Sequence, residues 1–389
     1  MIKAIICKGR EKRIEYGHPW VFKSDIDEIQ GTFTPGDIVD VYSYKNRFLG
    51  RGYINPQSQI TIRMLTYEHE EINRDFLYKR ISDAWEYRKR VADTGSCRAI
   101  FAESDFLPAL IVDKFGGYLV VQTLALGIDR FKSDIVEILD EIIKPDGIFE
   151  RNDAPVRELE GLEQKKGFLK GNFDTRVEMI ENGIHFMVDI ENGQKTGFFL
   201  DQKENRAAIR PFVKDSKVLD CFSHTGSFSM HAAYYGASEV TGVDISAHAV
   251  ECAYENARLN GLTERVNFVE ANAFDKLREL QESKEKFDVV ILDPPAFTKS
   301  RSAVEGATRG YKEINLRAMK ILKKGGFLIT CSCSHHIDPG LFMDIISDAA
   351  IDARRSIRLI EYRSQAKDHP VLFASAETQY LKCAILQIV

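Results

Sequence analysis

From about residue 217 the chain repeats one pattern: a short, almost wholly apolar run, a segment of helical period, then another apolar run. The runs are Val218-Leu219-Asp220-Cys221, Val240-Thr241-Gly242-Val243-Asp244, Val266-Asn267-Phe268-Val269, Phe287-Asp288-Val289-Val290-Ile291-Leu292-Asp293 and Phe327-Leu328-Ile329-Thr330-Cys331. The fourth is too apolar for anything but the centre of a sheet. Residues 226–236 read as a helix of small residues, Ser246 is placed to cap a helix ending at Asn260, and Gly325-Gly326 reads as the release of a helix into the fifth run. Strand and helix alternating this regularly give an α/β fold with a doubly wound parallel sheet, whose ligand sits beyond the carboxyl ends of the strands.

The rest of the chain is organised differently. The first seventy or so residues carry short alternating runs such as Ile38-Val39-Asp40-Val41-Tyr42 and Gln59-Ile60-Thr61-Ile62-Arg63-Met64, separated by Gly and Pro, which predicts a small β-barrel. Residues 70–91 turn helical. Further on, Phe115-Gly116-Gly117 marks a hairpin, and residues 128–143 an amphipathic helix closed by Pro145. No Pro- or Ser-rich linker marks a boundary near residue 72 or 178, and no internal repeat is visible.

With 44% apolar and 29% charged residues, the composition excludes a disordered or collagen-like chain. No apolar run approaches the ~20 residues that span a bilayer, and Lys8 cuts the opening apolar stretch too short for a signal peptide. Seven cysteines without a CxxC pair do not make a disulfide framework, so a cytoplasmic address is expected. A net charge of −5 excludes coating nucleic acid by bulk charge. The opening is nevertheless basic, with Lys3, Lys8, Arg10, Lys12, Arg13 and Lys23 against Glu11 and Glu15.

Asp220 and Asp244 end the first two strands and bracket Phe222-Ser223-His224-Thr225-Gly226-Ser227. A dinucleotide fold would place three glycines there to seat a pyrophosphate on a helix N-terminus. One glycine with an acid before it would repel phosphate, and suits the cationic sulfonium and ammonium of S-adenosylmethionine. Asp244 suits ribose hydroxyls, or else simply caps a helix. The fourth strand ends in Asp293-Pro294-Pro295-Ala296-Phe297, a stiff turn that would hold Asp293 rigid above the sheet to orient a planar amine or ring nitrogen, or would be a structural turn and no more. The fifth ends in Cys331-Ser332-Cys333-Ser334-His335-His336. This is read as a metal site of unusual spacing, as a pair of inert buried thiols, or as a nucleophilic thiol beside the methyl donor; the last reading is adopted.

At these residues the chain resembles a known family, the bacterial 23S rRNA (cytosine-5)-methyltransferases built from a PUA domain, a central EEHEE domain and a Rossmann-like catalytic domain. The words that carry the resemblance begin with Gly17-His18-Pro19-Trp20-Val21-Phe22, Phe48-Leu49-Gly50-Arg51-Gly52-Tyr53, Phe149-Glu150-Arg151-Asn152-Asp153 and Glu160-Gly161-Leu162. The most specific is Gly193-Gln194-Lys195-Thr196-Gly197-Phe198-Phe199-Leu200-Asp201-Gln202-Lys203-Glu204-Asn205-Arg206. Phe222-Ser223-His224-Thr225-Gly226, Asp293-Pro294-Pro295, Ser332-Cys333-Ser334 and Asp368-His369-Pro370 complete the set. The resemblance implies a PUA-like RNA-binding domain over residues 1–72, an EEHEE-type α+β domain over 73–178 and a methyltransferase domain over 179–389. It further implies S-adenosylmethionine as donor with S-adenosylhomocysteine as product, 23S rRNA as acceptor (naked or in a large-subunit precursor), and a homodimer. The donor-binding role it carries falls on Thr196, Phe199, Gln202, Asp220, Phe222, Thr225, Gly226, Asp244, Asn272 and Asp293.

The implied chemistry is methylation of cytosine at carbon 5, which is a poor nucleophile until a thiolate has added to carbon 6. Cys333 is assigned as that thiol and Asp293 as the group that hydrogen-bonds the ring N3 or the amine. No metal is expected. Phe297 is a candidate surface for the unstacked base. Related RNA cytosine-5 enzymes carry a second cysteine after the proline turn that helps release the adduct. Here Ala296 follows Pro294-Pro295, and Cys331, His335 or His336 would have to stand in. The alternatives weighed are an rRNA guanine N-methyltransferase, which needs no thiol, a non-catalytic rRNA-binding assembly factor, and a small-molecule methyltransferase, which the PUA-like front end disfavours.

Overall fold

The computed structural model describes residues 2–298 and 300–389. The chain forms two compact units. The first gathers the residues up to Met179 with Val188–Leu200 and Lys367–Thr378, and the second gathers Ile180–Met187, Asp201–Ala366 and Gln379–Val389. Among the described residues no helix is long and apolar enough to cross a membrane.

In the first unit, β1 (Lys3–Ile6), β2 (Trp20–Phe22), β3 (Ile26–Gln30), β4 (Ile38–Ser43), β5 (Phe48–Ile54) and β6 (Ile60–Thr66) make a six-stranded sheet ordered β2-β6-β5-β4-β1-β3. Its core includes Ala4, Ile6, Val21, Val39, Val41, Ile54, Ile62 and Met64, of which Val39 with Val41 and Ile62 with Met64 are the alternate residues of the two runs read above. Gly52 lets β5 lie against β6, because a Cβ there would stand 2.2 Å from the Arg63 carbonyl oxygen. A second sheet, ordered β11-β10-β9-β8-β7, follows: β7 (Ser96–Phe101), β8 (Leu110–Phe115), β9 (Tyr118–Thr123), β10 (Gly147–Asn152) and β11 (Lys165–Lys170). The helix Arg74–Val91 is capped by Asn73, whose side chain accepts from the Phe76 amide at 3.0 Å. The helix expected over 128–143 is two helices, Leu126–Arg130 and Lys132–Ile143, meeting at Phe131.

The two sheets of this unit share a core. Tyr53 and Leu65 from the six-stranded sheet pack with Leu110, Val112 and Leu119 of the five-stranded one, and the Tyr53 hydroxyl donates to the Pro108 carbonyl at 2.9 Å. Glu160 accepts from Ser58 Oγ at 2.5 Å, Arg63 Nη2 at 2.7 Å and Asn55 Nδ2 at 2.9 Å. Contacts this dense explain why no linker composition appears near residue 72.

A two-stranded sheet, β12 (Arg176–Glu181) with β13 (Ile184–Asp189), leads to the seven strands of the second unit. These are β14 (Lys217–Cys221), β15 (Glu239–Asp244), β16 (Val266–Glu270), β17 (Phe287–Leu292), β18 (Leu322–Ser332), β19 (Ile357–Arg363) and β20 (Lys382–Ile388), ordered β16-β15-β14-β17-β18-β20-β19. The first five in sequence run parallel, and β20 is antiparallel to both its neighbours. Strand order reverses at β14, which pairs β15 on one side and β17 on the other, so the crevice for a ligand opens at its carboxyl end. The glycine pair expected to release a helix lies inside β18 instead. The helix Val304–Ile321 passes directly into the strand, and residues 323–326 bulge out, since Phe287 pairs with Leu322 while Val289 pairs with Phe327.

Candidate active site

The carboxyl end of β14 is shaped by a loop that only tight turns can build. Phe222, His224 and Gly226 all have positive φ, at 67°, 49° and 79°. Left-handed backbone at two non-glycine residues in three is uncommon and is held here by specific bonds. The amides of Phe222 and Ser223 donate to the Val243 carbonyl at 2.9 and 3.0 Å, and the His224 amide donates to Asp244 Oδ2 at 2.8 Å. Gly226 is required, because a Cβ there would stand 2.8 Å from Phe268 Cζ and 3.0 Å from Ala253 Cβ. Asp244 Oδ1 also accepts from the Ser246 amide at 2.9 Å. The helix cap proper is Ser246, whose Oγ accepts from the Ala249 amide at 3.2 Å, as the sequence indicated.

Asp220 is buried just behind this loop. Ser229, from the helix Ser227–Tyr234, donates to its Oδ2 at 2.6 Å. Burial pushes its carboxyl up to about 7; the Ser229 bond works against that rise, and the charges of Asp293 and Asp244 add to it. Its Oδ1 has no partner among the described residues, nor do the hydroxyls of Ser223 and Thr225. Buried polar atoms without partners are rare in folded proteins, and a run of them under an anionic strand end is space for a ligand's donors and positive charge. The donor set therefore fits S-adenosylmethionine, with its cationic ammonium and sulfonium, and does not fit a pyrophosphate. Asn272 caps the helix Ala273–Glu282 by accepting from the Phe274 amide at 2.9 Å, which places it at the end of β16 beside the same crevice.

At the end of β17, Asp293 is held from two directions. Its amide donates to the Cys221 carbonyl at 3.3 Å, and Gln202 Nε2 donates to its Oδ1 at 2.8 Å. Gln202 is itself buried and fixed by Asn205, whose Nδ2 donates to Gln202 Oε1 at 2.7 Å. Arg363 Nε in turn donates to Asn205 Oδ1 at 3.0 Å. This orienting chain explains part of the long Gly193-to-Arg206 word. Another part is structural: Arg206 forms a fully buried fork on Glu181, at 2.6 and 2.9 Å.

The two thiols at the end of β18 part company. Cys331 is fully buried and faces its register partner Cys383 on β20; its hydrogen bond with Cys383, together with burial, pushes its thiol well above the ordinary range. Cys333 lies just past the strand and is partly exposed, with its sulfur 3.8 Å from the Pro294 carbonyl oxygen of the Asp-Pro-Pro turn. Asp293 and Cys333 thus sit at adjacent strand ends. Phe297 is half-buried, packed against Phe222 and Phe274 and 4.5 Å centroid to centroid from Tyr311. Tyr311 shares a 2.9 Å hydroxyl bond with Ser334.

Gln202, Asp220, Phe222, Thr225, Gly226, Asp244, Asn272, Asp293 and Cys333 all belong to the second unit, while Thr196 and Phe199 belong to the first. There the Thr196 hydroxyl donates to buried Asp113 at 2.6 Å, and the Lys195 ammonium lies 4.7 Å from the Phe199 ring centroid.

Fold and site together define an S-adenosylmethionine-dependent methyltransferase. A family model of that description matches residues 163–381, and a model described as a PUA-like domain matches residues 5–67. Two curated relatives named ribosomal RNA large subunit methyltransferase I are similar along nearly their whole length. The one from Photobacterium profundum is 45% identical over 384 residues, 97% of each chain, and one from Vibrio vulnificus is 42% identical over 391 residues, 98% of each. Among solved structures, an S-adenosylmethionine-dependent methyltransferase from Streptococcus mutans shares the fold over the full length of both chains, with a TM-score of 0.85 at 20% identity. A methyltransferase complexed with S-adenosylhomocysteine does so with a TM-score of 0.86, also at 20% identity and full coverage. The chain belongs to the ribosomal RNA large subunit methyltransferase I family, the bacterial PUA-containing branch of these enzymes.

Proposed function

We propose that this chain methylates carbon 5 of a cytosine in 23S rRNA through a transient bond from the Cys333 sulfur to carbon 6 of the base. The observation that carries this reading is the placement of Cys333: a partly exposed thiol at the carboxyl end of the parallel sheet, against the Asp293-Pro294 turn. Bound S-adenosylmethionine supplies the electrophilic methyl group. Asp220, Ser223 and Thr225 offer that donor oxygens without partners among the described residues, and Asp244 serves its ribose.

The Cys333 thiolate adds to carbon 6, and the electron pair displaced toward carbon 5 forms the new bond to the methyl carbon as the donor's methyl–sulfur bond breaks, its electron pair staying on the sulfur of the departing S-adenosylhomocysteine. Asp293, fixed by Gln202, hydrogen-bonds the ring N3 or the amine while charge moves over the ring. Loss of the carbon-5 proton to a base then sends the electron pair back to restore the ring double bond, expelling Cys333 as thiolate. The target base must leave its stack, at a cost of a few kcal/mol.

The large-subunit rRNA substrate is the one named for the relatives, and a PUA-like front end with a basic opening supports an RNA acceptor. The same reading divides the chain into an RNA-docking module over 1–72, a central domain over 73–178 and a catalytic domain over 179–389. It assigns the enzyme to the cytoplasm as a homodimer acting on 23S rRNA, naked or in a large-subunit precursor. Replacing Cys333→Ala should abolish formation of 5-methylcytidine, read by mass spectrometry of the rRNA, and leave binding of S-adenosylhomocysteine intact. Full methylation by Cys333→Ala would end the covalent route and favour a base nitrogen as acceptor.

A further inference from the structure

Lys382 opens β20, opposite Ser332 in the register with β18, and is 4% exposed. Its ammonium donates to the carbonyls of Ser334 and Tyr380, each at 2.8 Å. Ser334 directly follows Cys333, and its hydroxyl is held by Tyr311 from the helix Val304–Ile321. The residue next to Cys333 is therefore held twice, by a cation on β20 and by a phenol on the helix.

Burying an ammonium is costly, and two neutral carbonyls compensate it only in part. The charged and titratable groups that face Lys382 are Cys333 at the end of β18 and Asp338 at the start of the helix Pro339–Ala353. Asp338 is already engaged, its Oδ1 accepting from the Leu341 amide at 2.9 Å. Tyr311, bonded to the Ser334 hydroxyl, is kept protonated by burial, so it offers the sulfur no positive charge. Burial draws Lys382 down to about 8, and the negative charges of Cys333 and Asp338 oppose that fall, so at neutral pH most of it is cationic.

We infer that Lys382 is a positioning residue for Cys333: it fixes the 333–334 backbone and supplies the positive charge beside which the thiolate forms. This rests on Cys333 being the nucleophile. A neighbouring cation lowers the pKa of a thiol, as beside Lys, Arg or protonated His in other reactive thiols.

The test reads the thiol itself. In the full-length protein, the rate at which iodoacetamide alkylates Cys333 is followed against pH by mass spectrometry of the Cys333 peptide. Lys382→Met should move the midpoint upward by about one pH unit and slow alkylation at neutral pH about tenfold, while Lys382→Arg should keep most of the parent behaviour. S-adenosylhomocysteine binding reports that each variant is folded. Should Lys382→Met fail to bind it, Lys382→Gln takes its place in the comparison. Superimposable midpoints for the parent and the folded neutral variant would overturn the inference. Methylation by Cys333→Ala is scored separately, so a failure of the covalent route would be told apart from a failure of the Lys382 role.

Discussion

Asp113 and Asp220 are both removed from water, and the protein treats them in opposite ways. Asp113, on β8 of the first unit, accepts from Arg98 Nε and Nη2, each at 2.8 Å, and from Thr196 Oγ1 at 2.6 Å. Arg98 is in turn tied by its amide to Asp368 at 3.0 Å. Asp220, on β14 of the second unit, has Ser229 on one oxygen and nothing on the other among the described residues, and its carboxyl is pushed up to about 7. Burial with partners builds architecture. Burial without them holds a place for a ligand, and burial alone distinguishes neither.

The sharpest way to break this contrast is to remove each carboxylate. Asp113→Ala leaves Arg98 largely buried without its counter-charge and should cost about 3–5 kcal/mol of stability in urea unfolding. A loss below about 1 kcal/mol would show that the Arg98 fork is decoration. Asp220→Asn should do the reverse. Stability should change by less than about 1 kcal/mol, because no charged partner is orphaned, whereas S-adenosylhomocysteine affinity in calorimetry should fall roughly ten- to a hundredfold, the range for a lost hydrogen bond to a charged group. Unchanged affinity would remove Asp220 from the donor site.

Much of the second unit could be read before its structure was known, because parallel buried strands announce themselves as continuous apolar runs and their ends place Asp220, Asp244 and Asp293. What stayed hidden was set by pairing at a distance. The Gly325-Gly326 bulge depends on how β18 meets β17, which no local pattern encodes. The Thr196 hydroxyl falls on Asp113, a residue 83 positions away, so the word that holds Thr196 could not reveal its partner. Lys382 reaches the Cys333 loop only because β20 runs antiparallel to β18, and the sequence offers it as an ordinary strand-end lysine. Conversely, the Cys331-Ser332-Cys333 spacing alone does not separate the two thiols; the end of the strand at Ser332 does, leaving Cys331 sealed and Cys333 accessible.

The pH dependence of donor binding sharpens the contrast further. An acid whose folded value lies above its unfolded one binds more protons in the native state, so the stability Asp220 contributes is complete at low pH and is lost as pH rises from about 4 through about 7. A cationic donor prefers the ionised form. Affinity should therefore rise about tenfold between pH 6 and pH 8, following the ionised fraction, and the rise should vanish in Asp220→Asn. A flat profile in the parent protein would mean that the carboxyl is already ionised, or that the donor does not meet it.

Ser229→Ala is the smallest change and the most selective. The Ser229 hydroxyl works against burial by favouring the charged carboxylate, so its loss should shift the midpoint of the binding profile to higher pH. At pH 7 the ionised fraction, and with it the affinity, should drop a few-fold, and the deficit should close by about pH 9, where the carboxyl is ionised in both proteins. A deficit of the same size at every pH would instead make Ser229 a direct donor contact. A deficit that closes with rising pH would show that the hydroxyl acts by setting the charge of Asp220, the converse of Arg98 and Thr196, which leave Asp113 no oxygen to offer.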